Sequence, residues 1–439
     1  MQKKQTIAVV GGGMSGIAAC LELAKTGKFE ITLLEKENQL GGLSTWFQWE
    51  DVTWDKFYHV MLSSDHETLE FISDLGLHEK LFWKETKSGF YGKGQLVSMS
   101  TALDFLRFPF MSLWQKFRMG LGIIYSSRLN DASKLDKIFA REWLTRIFGR
   151  RVYENIWEPL LRSKLGEARE QTSALFIWAT IRRLYGARQG QSKKEMMGHV
   201  QGGYHSILSA AGQKLSEVGI TVKTGEPVQQ ISSASPYTVV TTKGEYQFDQ
   251  VLLTIDCPSI LNILQPAPSA YWDNLAAINY LSVYCVVLIT SRKLSPYYVI
   301  NLLDKELPFT GVIEATNVVS PEETGGKHIV FLPKYAPADD PIHGQTDDQI
   351  IADFTRHLKR MFPDLDDTQI LHRALHKARY VQPVQTLEYQ QNLPRFQTPM
   401  PGLHIVNTAM IINSTLNNNN SLTLARQCVE NICSSSMRQ

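Results

Sequence analysis

Hydrophobic and polar positions along the chain switch between two periods. Residues 6–10 form a short apolar, β-branched run of strand length, and the following "IAACLELAK" (residues 17–25) spaces its apolar side chains at helical intervals. A second strand pattern, "FEITLLE", covers residues 29–35. Residues 201–231 read as a glycine turn, an amphipathic helix and a strand. Residues 237–255 read as a hairpin turning at Lys243-Gly244 and leading into a buried strand. The chain closes with a strand running to Val406 and a last helix. Poor helix formers at 417–420 make Asn420 or Ser421 the expected cap of that helix. Strand, helix and strand in this order predict an α/β fold.

Two long stretches interrupt this pattern. Residues 93–196 are helical in pattern and unusually aromatic. In "STALDFLRFPFMSLWQKFRMGLGIIYSSRL" (residues 100–129), Phe105, Phe108, Phe110, Trp114 and Phe117 alternate with Arg107, Lys116 and Arg118. Pro109 ends one helix there and starts another. Three readings stand, in descending order of preference: core helix, cover of an apolar substrate tunnel, or helix lying on a membrane surface. Residues 259–395 alternate strand patterns such as "YLSVYCVVLIT" and "KHIVFLPKYA" with one helix at 347–361, which suits an antiparallel sheet.

Length and charge narrow the class. At 439 residues, two or three domains are expected. A formal charge of +2, from 45 basic and 43 acidic residues, argues against a nucleic-acid binder. The five cysteines show no CxxC spacing and suit a reducing compartment. Glycines interrupt the first apolar run, so it reads as strand and helix rather than as a secretory leader. With no stretch of 18 apolar residues, a spanning helix is not expected, and a cytoplasmic protein is the default. No metal-ligand spacing stands out, because His372 and His376 lack the intervening glutamate of a zinc protease. Nucleophile-elbow and P-loop motifs are absent from the sequence.

The chemistry begins at Gly11-Gly12-Gly13-Met14-Ser15-Gly16, a G-x-G-x-x-G turn set between a strand and a helix. Gly11 allows the tight turn, Gly13 lets backbone approach a pyrophosphate, and Gly16 lets the helix pack close to the strand. The helix start at Met14 and Ser15 offers unpaired N–H groups to phosphate. Glu35 lies 19 residues beyond Gly16, where a carboxylate accepts hydrogen bonds from ribose hydroxyls. NAD and FAD share this signature. The following segment, "KENQLGGLSTW", adds a second glycine pair, Gly41-Gly42, six residues after Glu35.

That segment resembles the flavoprotein superfamily of amine oxidases, protoporphyrinogen oxidases and carotenoid desaturases, in which a Gly-Gly turn and then Ser or Thr follow the glutamate. Ser44 and Thr45 hold those places here. The resemblance implies FAD as cofactor, a discontinuous Rossmann-like FAD-binding domain, and a mixed α+β substrate domain with a helical insert and an antiparallel sheet. The matching boundaries are 1–92, 197–258 and 396–439 for the first, and 93–196 and 259–395 for the second. It also implies cofactor contacts from Lys36, Leu43 and the backbone of Val228. The family ends its last strand with Gly-Asp, where this chain has Asn407-Thr408; Asn407 keeps hydrogen-bonding capacity without the charge.

Beyond the glycine pair, Trp54, Asp55, Tyr58 and His59 are placed to reach the reacting end of a flavin. Tyr58 and His59 are the candidate catalytic residues, His59 as a proton donor titrating near the working pH. The implied activity is hydride transfer from a C–N or C–C unit of a bulky, partly apolar small molecule to flavin N5. Two alternatives remain. One is a non-redox flavoenzyme of the UDP-galactopyranose mutase type, with Arg150, Arg151, Arg182 and Arg183 gripping a diphosphate. The other is a nucleotide-binding protein without catalysis. Oligomeric state is not legible.

Overall fold

The computed structural model describes residues 4–186, 196–412 and 416–435. At its centre is a five-stranded parallel sheet in the order Leu403–Ile405, Gln250–Leu253, Gln5–Val10, Phe29–Leu34, Thr221–Lys223. Gln5–Val10 is the middle strand, and its side chains divide by the period of two that a pleated strand imposes. Ile7 and Val9 pack with the helices Met14–Lys25 and Asn418–Ser435, while Ala8 and Val10 face a second apolar cluster. That second face is covered by an antiparallel sheet of Val228–Ile231, Tyr237–Thr241 and Glu245–Phe248. The hairpin turns at Lys243-Gly244, as its pattern predicts.

Chain order makes the end of Gln5–Val10 a switch point. The chain leaves it through Met14–Lys25 to a strand on one side, and later returns to the strand on its other side. Open α/β sheets bind ligands at such a crevice, outside the carboxyl ends of the strands. Gly11 occupies that spot.

The second sheet has seven strands in the order Ile370–Pro383, Tyr280–Thr290, His328–Ala336, Gly311–Glu314, Val299–Leu302, Ser88–Gly92, Gln95–Ser98. Its pairings are antiparallel except that of Val299–Leu302 with Ser88–Gly92. Helix Asp347–Met361 packs on this sheet and opens with a capping box in which the Thr346 and Gln349 side chains bond each other's backbone N–H. A helical layer, including Ala102–Arg107, Leu113–Arg128, Ala140–Phe148, Glu158–Leu165 and Ala174–Gly186, surrounds buried Trp143, Phe148 and Trp178. Pro109 falls between the first two of these helices, as expected.

The last helix differs from the expectation. It starts at Asn418, ahead of Asn420 and Ser421, and the Asn417 side chain accepts from the Asn420 N–H at 2.9 Å. An asparagine there satisfies an orphan donor of the first turn, so the run of poor helix formers moves the start earlier.

Candidate active site

Two glycine turns build one end of the site by touching each other. The Gly41 N–H donates to the Gly12 carbonyl at 2.8 Å, and Gly13 bridges Gly41 as a parallel strand would. Gly41 sits at φ +126°, a backbone conformation that side chains exclude. A Cβ on Gly16 would lie 1.9 Å from the Gly11 carbonyl oxygen, so the first helix packs as closely as its motif requires. Gly13 is different. A Cβ there would meet protein only at the Gly42 Cα, 3.9 Å away, and Gly13 lines a cavity, so a side chain would fill the space a ligand needs. No side chain caps the helix that starts at Met14, and its first turn holds no acid. Its free N–H groups and dipole suit a phosphate.

Glu35 is buried at the end of its strand. One carboxylate oxygen accepts from the Gly12 N–H at 2.5 Å and the other from the Glu37 N–H at 2.8 Å. A carboxylate has about four acceptor sites, so these bonds orient it and leave capacity for a ligand hydroxyl. The asparagine run ties the last helix to the second glycine turn. Asn418 donates to Ser44 Oγ at 3.0 Å and to Tyr204 Oη at 2.6 Å, and Asn419 accepts from the Thr68 N–H at 3.2 Å. The hydroxyl of Thr45, buried in the same wall, has no protein partner.

One cavity of about 1610 Å³ runs from these turns to the helical layer. Ligand pockets are commonly about 300–1,000 Å³, so the space suits a large cofactor together with a second molecule. Gly11, Gly13, Met14, Ser15, Glu35, Lys36, Gly41, Gly42, Leu43, Ser44, Val228 and Asn407 all line it. Gly16 is absent from the lining, in keeping with its packing role. Asn407 is buried and already engaged: it donates to the Ile255 carbonyl at 2.8 Å and accepts from the Ala409 N–H at 3.0 Å. The amide therefore shapes the turn after the last strand.

At the other end the lining turns apolar, with Phe90, Phe105, Phe108, Met111, Trp157 and Ile181. Tyr58, His59, Lys164, Arg183 and Tyr335 add polar and charged groups to the same lining. Tyr58 Oη lies 3.2 Å from Tyr335 Oη, and burial pushes both phenols up, so both are neutral at ordinary pH. His59 hydrogen-bonds the Phe57 carbonyl through Nδ1 at 2.9 Å, and burial pulls it down to about 4. It is thus a neutral imidazole with Nδ1 protonated, which departs from the expected titration near the working pH. Trp54 and Asp55 stay out of the main lining; Asp55 accepts from the Tyr204 N–H at 2.9 Å.

Sequence reasoning missed Lys164 and Tyr335. Lys164 reaches over the Tyr335 ring, 5.9 Å from its centre, and burial together with Arg183 pulls its ammonium down to about 8. Arg183 is held by Asp65 at 3.2 Å. Of the four arginines considered for a diphosphate, Arg183 alone lines the cavity: Arg150 pairs with Glu154 at the surface, and Arg182 lies over Trp178. On a strand, His372 stacks on Trp49 and His376 lies tilted against Phe47, and no cluster of metal-binding side chains occurs among the described residues.

The profile of the family "Flavin containing amine oxidoreductase" matches residues 14–415. The chain belongs to this family. This is a family of flavin-containing oxidoreductases, and FAD is the cofactor that the paired glycine turns and Glu35 suit. It is 27% identical over 162 residues to protoporphyrinogen oxidase 2 of Arabidopsis thaliana, an alignment covering 35% of this chain and 31% of the relative. To 15-cis-phytoene desaturase of an Oncidium hybrid cultivar it is 22% identical over 390 residues, 83% of this chain and 66% of that protein. The alignments thus span about a third and about two thirds of these relatives' lengths. A reduced UDP-galactopyranose mutase shares the fold with a TM-score of 0.76 at 16% identity, covering 98% of this chain and 96% of the other. Among the described residues, no helix is long and apolar enough to cross a membrane.

Proposed function

We propose that the enzyme oxidises a C–N or C–C unit of a bulky, largely apolar small molecule, with residues 1–92, 197–258 and 396–439 holding FAD and the rest of the chain the substrate. The observation that carries this reading is the continuity of the cavity from paired glycine turns to an aromatic chamber. FAD bound here would supply the redox chemistry, with N5 as its hydride-accepting position. The N–H groups of the first helix and the glycine backbone would hold its pyrophosphate, and Glu35 its ribose. Phe105, Phe108 and Trp157 exclude water from the apolar body of the substrate.

Proton handling falls to Lys164 rather than His59. With its ammonium pulled down to about 8, Lys164 exchanges a proton near neutral pH, whereas His59 is neutral down to about 4. Tyr58 and Tyr335 act as neutral hydrogen-bonding groups that orient the substrate. Of the four arginines that the diphosphate-gripping alternative needs, only Arg183 lines the cavity, and that alternative is not favoured.

The test is anaerobic bleaching of the flavin absorbance by a panel of lipophilic amines, polyenes and short polar diamines. Bleaching by members with large apolar bodies supports the reading; bleaching by the short diamines alone would overturn it.

A further inference from the structure

The helix Leu113–Arg128 is inverted. Its inward face carries Lys116, Met119, Gly122 and Ser126, all buried, while six of its large apolar side chains point to water. Leu113 is 75% exposed, Trp114 70% and Phe117 58%, and the stripe continues one turn at a time through Leu121 and Tyr125. The preceding helix, Ala102–Arg107, adds exposed Leu103 and Leu106. Among the described residues, eight of the twelve exposed large hydrophobic side chains lie on these two consecutive helices. Contiguous apolar surface of this kind marks an interaction site. The orientation is fixed from inside: Lys116 donates to the Leu106 carbonyl at 2.6 Å, joining the two helices, and the Trp178 indole donates to the Ser126 carbonyl at 2.9 Å. A Cβ on Gly122 would lie 2.6 Å from the Phe148 ring, so the helix cannot roll its apolar stripe inward.

Charge selects the occupant. Residues 101–128 contain four basic residues and one acid, Asp104, in a chain that is otherwise almost balanced. Arg107 and Arg128 are exposed beside the stripe, whereas Asp104 is engaged by Ser98 and by the backbone of Thr101. Exposed Trp, Phe and Leu with arginines at the margin suit the headgroup–acyl boundary of an anionic lipid surface. A second copy of the chain would bring the same arginines against one another. We infer that the two helices form a monotopic docking face by which the enzyme lies on an anionic membrane without crossing it. The cavity adds a consequence. Phe105, Met119 and Ile123, on the inward sides of the same helices, line its apolar end, so a lipid-dissolved substrate would enter with little exposure to water. That entry route rests on the substrate reading above; the docking face does not.

The experiment is co-sedimentation of the FAD-loaded full chain with phosphatidylcholine vesicles, with and without phosphatidylglycerol. The wild type is expected to sediment with the mixed vesicles and less with the neutral ones. Trp114→Glu/Phe117→Glu should lower the bound fraction about tenfold or more, given the apolar area withdrawn from the lipid, with flavin content and Tm unchanged. Arg107→Glu/Arg128→Glu should abolish only the preference for anionic vesicles. The proposal is overturned if the wild type stays in solution with both vesicles, or if the Trp114→Glu/Phe117→Glu protein sediments as well as wild type. It is also overturned if that variant converts a dimer to a monomer while vesicle binding is absent, since the face would then belong to a second copy. Loss of amine or polyene oxidation alongside intact vesicle binding would count against the substrate reading only.

Discussion

The helix that follows the first glycine turn and the helix Leu113–Arg128 are both rich in apolar residues, yet they use them in opposite ways. Met14–Lys25 buries Met14, Ile17, Ala18 and Leu23 against the parallel sheet and frees its N-terminus for a ligand. Leu113–Arg128 buries Lys116, Met119, Gly122 and Ser126 and turns its aromatic stripe outward. The first end of the cavity is shaped by backbone, and the second by side chains drawn from distant segments. Local geometry governs the one, and tertiary packing the other.

The largest effect expected is at the backbone end. Gly16→Val places atoms where even a Cβ meets the Gly11 carbonyl at 1.9 Å. Overpacking of this kind costs about 1–3 kcal/mol or more, so loss of flavin should accompany a large drop in Tm. An unchanged Tm would show that the backbone end tolerates what only the side-chain end should.

The pH dependence of stability comes next. Lys164 is pulled from 10.5 down to about 8, so between those values the unfolded chain holds the extra proton, and stability rises with pH across that window. His59 is pulled from 6.5 to about 4, so stability is lost as pH falls through that range. Lys164→Met should flatten the alkaline slope, and His59→Gln the acid one, in denaturant midpoints followed against pH. If neither slope changes, the middle of the cavity is wetter than described.

A smaller effect is expected for Tyr58→Phe, which removes the 3.2 Å contact with Tyr335. One neutral hydrogen bond contributes about 1 kcal/mol, and a double-mutant cycle with Tyr335→Phe should recover a coupling of that order. The smallest effect is expected for Arg150→Ala. Its side chain is 85% exposed and pairs with Glu154 outside the cavity. Such pairs are worth about 0–1 kcal/mol, and neither flavin spectrum nor turnover should change.

The same comparison explains what could be read in advance. The glycine turns, Glu35 and the first strands were legible because their geometry depends on residues close together in sequence, where spacing encodes backbone. The hairpin at Lys243-Gly244 and the helix Asp347–Met361 followed from local pattern for the same reason. Lys164 was not legible. A lysine on a helix ordinarily points to water, and only the packing of Glu158–Leu165 against the sheet brings it to Tyr335 and Arg183. His59 lines the cavity, but its burial, and so its proton affinity, depends on Tyr204 and other residues far along the chain. A membrane-surface helix ranks last of the three readings for residues 100–129 because apolar residues occupy both faces of Leu113–Arg128, so periodicity gives that helix no direction.

The central claim is that the paired glycine turns hold the cofactor, and Gly13 tests it most directly. Apart from its chain neighbours, its Cβ would meet no protein atom nearer than the Gly42 Cα at 3.9 Å, so Gly13→Val should preserve the fold while filling the cofactor's place. The measurement is the visible absorbance of wild type and Gly13→Val purified side by side, with the released cofactor identified by mass and folding checked by Tm. Yellow wild type releasing FAD beside a folded, colourless variant is the predicted result. A folded variant that retains FAD with wild-type affinity would contradict the account.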